Sequence, residues 1–554
     1  MAVLPAYLTG ENQLCRYVSA TTIPETCVIV WTATLPLYRE NPVVRIYPFI
    51  LAACSFFSWA SAPAMAQQPR GASLPLPALV DRLTWGKTPA ELGRAHQLGA
   101  LAYIEAQLKP APESKLPPEV QRRIDALSIS TESAEDALIE VRRYQVSIPQ
   151  MSSEKEKTDI RQSIKKITYA RTADTRARAI WRALYSPNQL QEQLVWFWMN
   201  HFNVYAARGS IGAILDDYEE RTIRPRVLGK FRDLLKATIT SPAMMLYLDN
   251  HRNRAGHLNE NYARELMELH TLGVQGGYSQ EDVQALARVL TGLGVSYNLE
   301  PPKVKPVLRP QLVKKGAFLF HPAYHDYGDK VLLGQRIKGR GMTEVDEAVE
   351  MLARHPSTAR HISRKLAQYF VADEPSRPMI DAMAKTFQET DGDIAATLRT
   401  MFLSDAFAKS LEIGKFKDPT HYVYSSLRLA YASLSPVVRV DVVSRWLARM
   451  GQPLYGRLTP DGYPLGQSDW SSSGQMTVRF DLARQIVTNP QSFYAAREDK
   501  SKPRLPSLPQ LSDTYEQKGL ESNLSASTWN VIRQAKSVQD ANMYLLSSPE
   551  FMRR

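Results

Sequence analysis

Apolar residues recur at helical spacing along most of this chain of 554 residues, and strand-like alternation is scarce. Many of these periodic segments begin with a capping residue followed by proline. Proline is favoured at the first helical position because its missing N–H would be unpaired there anyway. Such pairs are Thr88-Pro89, Ser186-Pro187, Ser241-Pro242, His355-Pro356, Asp418-Pro419 and Ser548-Pro549. The pattern predicts a mainly α protein, built as an irregular multi-helical bundle of packed helix pairs.

The order of these segments predicts a single large helical domain over residues 77–554, after a Pro-rich lead over 67–80. A Pro/Lys-rich stretch over 299–316 reads as a surface insertion between sub-lobes 77–298 and 317–554. A short β-ribbon is predicted near 317–334. Helices are predicted over about 88–108, 118–185 (interrupted near 147–153), 187–291 and 343–450.

The N-terminal region carries the features of an export signal. Arg45 precedes the apolar stretch IYPFILAACSFFSWA, and Ala64-Met65-Ala66 fits the small-x-small rule for cleavage after Ala66. Pro48 interrupts the apolar stretch, so a permanent membrane span is disfavoured. The mature chain is therefore expected to be periplasmic or extracellular, with no transmembrane span. Lipidation at Cys54 is a weaker alternative, because the apolar run before it is short.

All three cysteines, Cys15, Cys27 and Cys54, precede the predicted cleavage site. A mature chain starting at Gln67 would have no cysteine for disulfides, thiol catalysis or metal ligation. The formal charge of +12 is spread along the chain, and no motif of interleaved aromatic and basic residues accompanies it. We therefore expect a solvated basic surface and no nucleic-acid partner.

The segment NENYARELMELHTLGVQGGY, residues 259–278, is unusually dense in polar groups. On a helix at 100° per residue its apolar residues form one arc, with His270 near the middle and Glu265 at one edge. A histidine there is either a satisfied core residue or a general base or metal ligand. Glu260, Arg264 and Glu268 share the opposite face at i,i+4 spacing, which is typical of a surface ion-pair ladder.

A second polar group lies in VWFWMNHFNV, residues 195–204, which is apolar almost all round and is predicted to be buried. Asn200, His201 and Asn203 would then go inside, and each would need hydrogen-bond partners. Two interpretations stay open. The polar residues either fix helix packing as an internal network, or they form a pocket wall in which His201 lies beside Trp196 or Trp198.

A third group is the loop sequence HPAYHDYGDK, residues 321–330. Histidine beside carboxylate can bind a metal or act as an acid–base pair, and His325 with Asp326 fits that description. The His-x-x-x-His spacing would indicate a metal site on a helix, but Pro322 argues against a helix. The alternative is a loop histidine with turn aspartates.

These stretches together with HPSTARHISRKL, residues 355–366, closely resemble one family, the bacterial domain-of-unknown-function family 1800 (DUF1800). The resemblance covers about residues 77–554. It implies an exported, predominantly helical protein, and it implies no particular activity. It also implies a partner, because members are often encoded beside an exported family that resembles sulfatases. The family pattern carries over onto His201, Asn259, Glu260, Arg264, Glu265, Glu268, His270, His325, Asp326 and Lys330.

From these groups we expect an exported hydrolase that acts on an envelope or extracellular polymer by acid–base or metal-assisted chemistry. The predicted catalytic residues, expected to converge in one cleft, are His201, Glu265, His270, His325 and Asp326. The predicted substrate-binding residues are Trp198, Asn259, Arg264 and Lys330. The cofactor is left open, with a divalent metal held by the histidines as one option. The alternative is a non-catalytic envelope binding or assembly protein whose buried polar network is structural.

Overall fold

Local capping chemistry sets where many helices begin. The Thr88 hydroxyl accepts the Glu91 N–H at 3.2 Å, and Pro89 occupies the first helical position. Helices also begin at Pro242, Pro356 and Pro419, as the sequence predicts. The other two proline signals are wrong, because Pro187 lies before a helix that begins at Gln189 and Pro549 lies in a turn.

The computed structural model describes residues 74–111, 115–431, 434–494, 508–513 and 524–554. The mainly α architecture is confirmed. The helices up to residue 265 are α1 Leu76–Leu83, α2 Pro89–Leu98, α3 Ala100–Leu108, α4 Pro118–Asp125, α5 Ser128–Thr131, α6 Ala134–Ser147, α7 Glu154–Tyr185, α8 Gln189–His201, α9 Leu215–Asp217, α10 Phe231–Ile239, α11 Pro242–Tyr247 and α12 Asn261–Glu265. The later ones are α13 Gln280–Val289, α14 Met342–Arg354, α15 Pro356–Phe370, α16 Arg377–Glu389, α17 Ile394–Phe402, α18 Asp405–Ile413, α19 Pro419–Tyr431, α20 Val440–Arg449, α21 Ser473–Thr488, α22 Ala526–Arg533 and α23 Val538–Ser547.

Short strands fill the part of the chain between α13 and α14. They are β1 Leu293–Val295, β2 Val313–Lys315, β3 Phe318–Phe320, β4 Lys330–Leu332 and β5 Gln335–Ile337. The first three form an antiparallel sheet in the order β1-β3-β2, and the last two pair as an antiparallel hairpin. The β-ribbon predicted near 317–334 is therefore confirmed, and the predicted insertion supplies β2 to the first sheet.

The segment predicted as one regular helix from Asn259 changes its winding halfway. The α-helix α12 ends at Glu265, and Leu266–His270 is a π-helix. The wider turn of a π-helix shifts the side chains that follow, so a projection at 100° per residue fails there. Val274, predicted to lie on the apolar arc, falls in a turn after the helix has ended and is 73% exposed. Tyr262 and Leu266, before the change, are buried as predicted.

Among the described residues, one large apolar core extends from Leu74 to Met552, and a small separate cluster contains Ala137, Val141 and Ala213. Helix α8 is buried on almost every side, as its apolar sequence predicts, and its C-terminal end brings Trp198 to His201 into this core. Among the described residues, no helix combines the length and apolar character that crossing a membrane requires. The predicted export signal, Cys54 and the cleavage point after Ala66 lie outside the described residues.

Candidate functional site

The C-terminal end of α8 places an imidazole inside the core. His201 is 1% exposed, and its Nε2 lies 3.1 Å from the backbone carbonyl of His270. Because a carbonyl only accepts, Nε2 carries the hydrogen and Nδ1 presents a lone pair. That Nδ1 has no hydrogen-bond partner among the described residues. Burial lowers the pKa of His201 well below its ordinary value, and the nearby charge of Lys365 lowers it further.

His270, at the end of the π-helix, is more isolated still. It is fully buried, and within the described part of the chain neither ring nitrogen has a hydrogen-bond partner. Its ring centroid lies 5.9 Å from that of His201. Burial, with a smaller contribution from Lys365, lowers the pKa of His270 to about 3. An unpartnered buried polar group costs about 1–3 kcal/mol, so His270 is not a satisfied core histidine.

Helix α15 adds two residues that were not predicted from the sequence. The Nε2 of His361 donates to the carbonyl of Leu269 at 3.1 Å, and burial lowers the pKa of His361 to about 4. One turn later, burial lowers the pKa of Lys365 to about 8, although the charge of Asp461 opposes that shift. A signal for Lys365 exists in the sequence, because helical spacing places it beside the buried Ile362 and Leu366.

Lys365 borders a surface cleft with a volume of about 540 Å³, here named the Lys365 cleft. The opposite wall is the segment 457–469. Two ion pairs stabilise the walls: Arg457 binds Asp461 at 2.7 Å, and Lys415 binds Asp373 at 2.6 Å. The lining residues are Lys365, Gln368, Asp373, Arg457, Asp461, Gly462, Tyr463, Pro464, Leu465, Gly466 and Asp469.

Two asparagines at the end of α8 attach this wall to the core. The Asn200 side chain donates to the carbonyl of Tyr463 at 2.9 Å and accepts its N–H at 2.6 Å. The Asn203 side chain donates to the carbonyls of Arg457 and Thr459 at 3.0 and 2.8 Å. Gly462 has φ +77°, and a Cβ there would lie 2.2 Å from the Asn200 carbonyl oxygen, so only glycine fits. Both asparagines are satisfied, as buried amides require.

Two carboxyl groups near this wall have pKa values shifted in opposite directions. Glu265 is half-buried and has no hydrogen-bond or ion-pair partner among the described residues; burial, Glu268 and Asp461 raise its pKa. Burial raises the pKa of Asp461, but hydrogen bonds from Arg457 and Thr459 outweigh that effect, and the pKa is lowered. Environments that separate two carboxyl pKa values in this way distinguish a proton donor from a proton acceptor.

A second polar group surrounds a carboxylate that was not predicted, Glu344 on α14. Its Oε1 lies 2.9 Å from Nε2 of His325, and its Oε2 pairs with the buried ammonium of Lys330. The other ring nitrogen of His325 lies 2.8 Å from the carbonyl of Thr291. Burial raises the pKa of Glu344, but hydrogen bonds from His325 and Lys330 outweigh it and hold the pKa below its ordinary value. We name His325, Lys330 and Glu344 the Glu344 group.

Asp326 lies beside this group but faces a different partner. Its carboxylate accepts hydrogen bonds from Arg288 at 2.8 and 3.1 Å, and these hydrogen bonds lower the pKa of Asp326. The Asp326 carboxylate also accepts a hydrogen bond from the Gly328 N–H at 2.8 Å, and this bond orders the turn. The two-pronged contact with Arg288 fixes the loop 321–330 against α13.

Three of the predicted substrate-binding residues have structural partners. Trp198 is fully buried, does not border the cleft, and donates to the carbonyl of Val227 at 3.2 Å. Arg264 pairs with Glu260 at 3.2 Å and Glu268 at 3.8 Å, as the ladder interpretation predicts. The side chain of Asn259 donates to the carbonyl of Asp249 and caps the N–H of Asn261.

The predicted residues therefore form two separate polar groups instead of one cleft. His201 and His270 join His361, and we name these three the histidine group. His325 and Lys330 join Glu344. Among the described residues, no hydrogen bond, ion pair or ring contact directly connects the two groups. The same residues include no set of three or more His, Cys, Asp or Glu side chains arranged to hold a metal ion.

Comparison with known proteins adds one finding. A family model described as "Protein of unknown function (DUF1800)" matches residues 78–553. No curated protein matches the chain, and no solved structure does.

Proposed function

Because the chain belongs to the DUF1800 family, which carries no assigned activity, we propose a function from its own site: an exported hydrolase acting on an envelope or extracellular polymer. The observation that carries the proposal is a pair of carboxyl groups: Asp461 lines the Lys365 cleft, and the pKa of Glu265 responds to the charge of Asp461. Glu265 has a raised pKa and Asp461 a lowered one. A carboxyl group that holds its proton more tightly and one that releases it more readily suit the acid and base roles in hydrolysis of a glycosidic bond.

In the proposed reaction Glu265 is the acid. The bonding electrons of the scissile C–O bond move to the leaving oxygen, which takes the proton of Glu265. Asp461 is the base: a water oxygen bonds to the carbon as its proton passes to the Asp461 carboxylate, which Arg457 holds ionised at 2.7 Å. Solvent then returns Glu265 and Asp461 to their starting protonation. His201 and His270 are buried near Lys365, and burial lowers the pKa of both.

Export belongs to the same proposal and rests on the sequence of the N-terminal region. The test begins with protein recovered from the host envelope, whose intact mass is expected to match a chain that starts at Gln67. Wild type is then incubated with envelope polysaccharides, and with aryl glycosides whose leaving groups need no proton. Glu265→Gln is expected to lose about 10²–10⁴-fold activity on polysaccharide. It should lose far less activity on aryl glycosides.

Two matched variants control for charge alone. Glu389→Gln removes an exposed carboxylate that pairs with Lys385, and Asp381→Asn removes an exposed carboxylate that pairs with Arg360, both on α16. Both are expected to stay within a few-fold of wild type, whereas Asp461→Asn should fall with Glu265→Gln. Equal activity of Glu265→Gln and wild type on polysaccharide would refute the assignment.

A second function, a non-catalytic envelope binding or assembly protein, is favoured by one observation. In the Glu344 group the His325, Lys330 and Glu344 side chains satisfy one another inside the fold, as a structural network does. Wild-type protein that binds a polymer in the cleft and never cleaves it would support this alternative.

A further inference from the structure

Lys365 differs from the other basic residues around its cleft. Arg457 pairs with Asp461, and Lys415 pairs with Asp373. Lys365 has no carboxylate within ion-pair distance among the described residues, although it lies at the cleft surface and only part of it is exposed. Removing an ammonium group from water is unfavourable unless another charge compensates it. Among the described residues, the cleft therefore holds one basic side chain that forms no ion pair.

The groups that face Lys365 do not supply the missing charge. His361 on the same helix, His201 from α8 and His270 from the π-helix all have lowered pKa values and are neutral at pH 7. Asp461 approaches from the opposite wall, but its carboxylate is shared with Arg457. No described carboxylate, including the lining residues Asp373 and Asp469, lies within ion-pair distance of Lys365, so a bound anionic ligand would supply the compensating charge.

The rest of the cleft indicates what kind of ligand carries that anion. Its volume of about 540 Å³ is in the range of small-ligand sites. Beside Lys365 the lining side chains include Gln368, Arg457 and Asp469, which offer hydrogen bonds to a polyhydroxylated molecule. We propose that Lys365 binds an anionic substituent of the polymer, so that the substrate class is an acidic saccharide carrying a carboxylate or a sulfate ester. This inference rests on the proposed function in placing the polymer in this cleft.

The inference has a consequence for pH. A bound anion stabilises the protonated amine, so binding should be strongest where Lys365 is protonated without a ligand. Its pKa of about 8 sets that limit. Above it, an anionic ligand must bring a proton with it, and the affinity should fall about tenfold per pH unit. A neutral ligand of the same shape should show no such dependence.

The experiment is calorimetric binding from pH 6.5 to pH 10 (roughly the span on either side of that pKa) with three probes. They are short uronic-acid oligomers, the same oligomers as methyl esters, and sulfated oligomers of similar length. Wild type should prefer the charged probes below pH 8, and the carboxylated and sulfated arms identify the anion. Lys365→Met should bind charged and neutral probes alike. Lys365→Arg should keep the charge preference and lose the dependence on pH. Lys385→Met, an exposed lysine on α16, should behave as wild type.

Equal affinity of wild type for the uronic-acid oligomer and its methyl ester would overturn the inference. A charge preference that survives in Lys365→Met, or no binding of either charged probe, would do the same. The two proposals fail separately. A charge preference that Lys365→Met removes, with turnover intact in Glu265→Gln, keeps the anion site and rejects Glu265 as the general acid. Loss of turnover in Glu265→Gln, with no charge preference in wild type, keeps Glu265 as the general acid and rejects the anion site.

Discussion

The histidine group and the Glu344 group are built from similar residues but satisfied to different degrees. In the Glu344 group His325 and Lys330 both contact the same carboxylate, and both nitrogens of His325 have partners. In the histidine group one nitrogen of His201 and both nitrogens of His270 have none among the described residues. The histidine group also lies near a cleft. A closed network stabilises one packing, whereas unsatisfied polar groups beside a cleft are typical of a site that meets a ligand.

The largest expected effect tests whether the Glu344 group is a structural network. Glu344→Ala leaves Lys330 and His325 buried without their partner, so unfolding should become easier by about 3–5 kcal/mol. Chemical denaturation at pH 7 measures this. Glu347→Ala, which breaks a surface pair with Arg340, should cost less than about 0.5 kcal/mol. Similar losses in the two variants would mean that the Glu344 group is not a structural network.

The next effect is the loss of folding stability at acidic pH. The folded pKa of His270 is about 3, against an ordinary value near 6.5, so only the unfolded chain takes up a proton there as pH falls. Stability is therefore complete above pH 6.5 and is lost at about 1.4 kcal/mol per pH unit as pH falls towards 3. His270→Leu should remove this contribution and retain about 2 kcal/mol more than wild type at pH 5, each relative to its own value at pH 7. Parallel stability curves for the two proteins would contradict the pKa assignment.

The smallest effect compares two buried histidines at pH 7. His421 is 2% exposed, but its Nδ1 lies 2.9 Å from Asp418, whereas His270 has no such partner. His421→Leu leaves the Asp418 carboxylate without its imidazole and should destabilise the fold by about 1–3 kcal/mol. His270→Leu removes an unsatisfied group and should be neutral or stabilising by about 1 kcal/mol. Thermal denaturation of both variants measures these changes in stability. A large loss of stability in His270→Leu would mean that the histidine group is a structural network.

Local signals predicted the fold better than the site. Helical periodicity and capping residues are local, so the mainly α architecture and the burial of α8 follow from the sequence. The π-helix at Leu266–His270 was missed because its composition is that of an ordinary amphipathic helix. Glu344 was missed because its partners lie 14 and 19 positions away, in a strand and a loop respectively, whose folded positions the sequence pattern does not give.

The site itself depends on contacts that no sequence pattern indicates. Asp461 lies in a Gly/Pro-rich loop that reads as a simple connection, and hydrogen bonds from Asn200, Asn203 and Tyr247 hold this loop against the core. Lys365 could have been found, because it falls on the apolar face of an amphipathic helix. A lysine at such a position needs either a partner or a cleft.

The asparagine contacts to the cleft wall also determine the stage of folding at which the cleft forms. Asn200 and Tyr463 are 263 positions apart, and Asn203 and Arg457 are 254 apart. Contacts of such high contact order form late in folding, because closing so long a loop costs entropy before any contact repays it. Helix α8 can therefore pack early, while the cleft is absent until the chain near residue 460 has been delivered. A nascent chain that ends before this segment carries the histidines and Lys365 but lacks the opposite wall of the cleft.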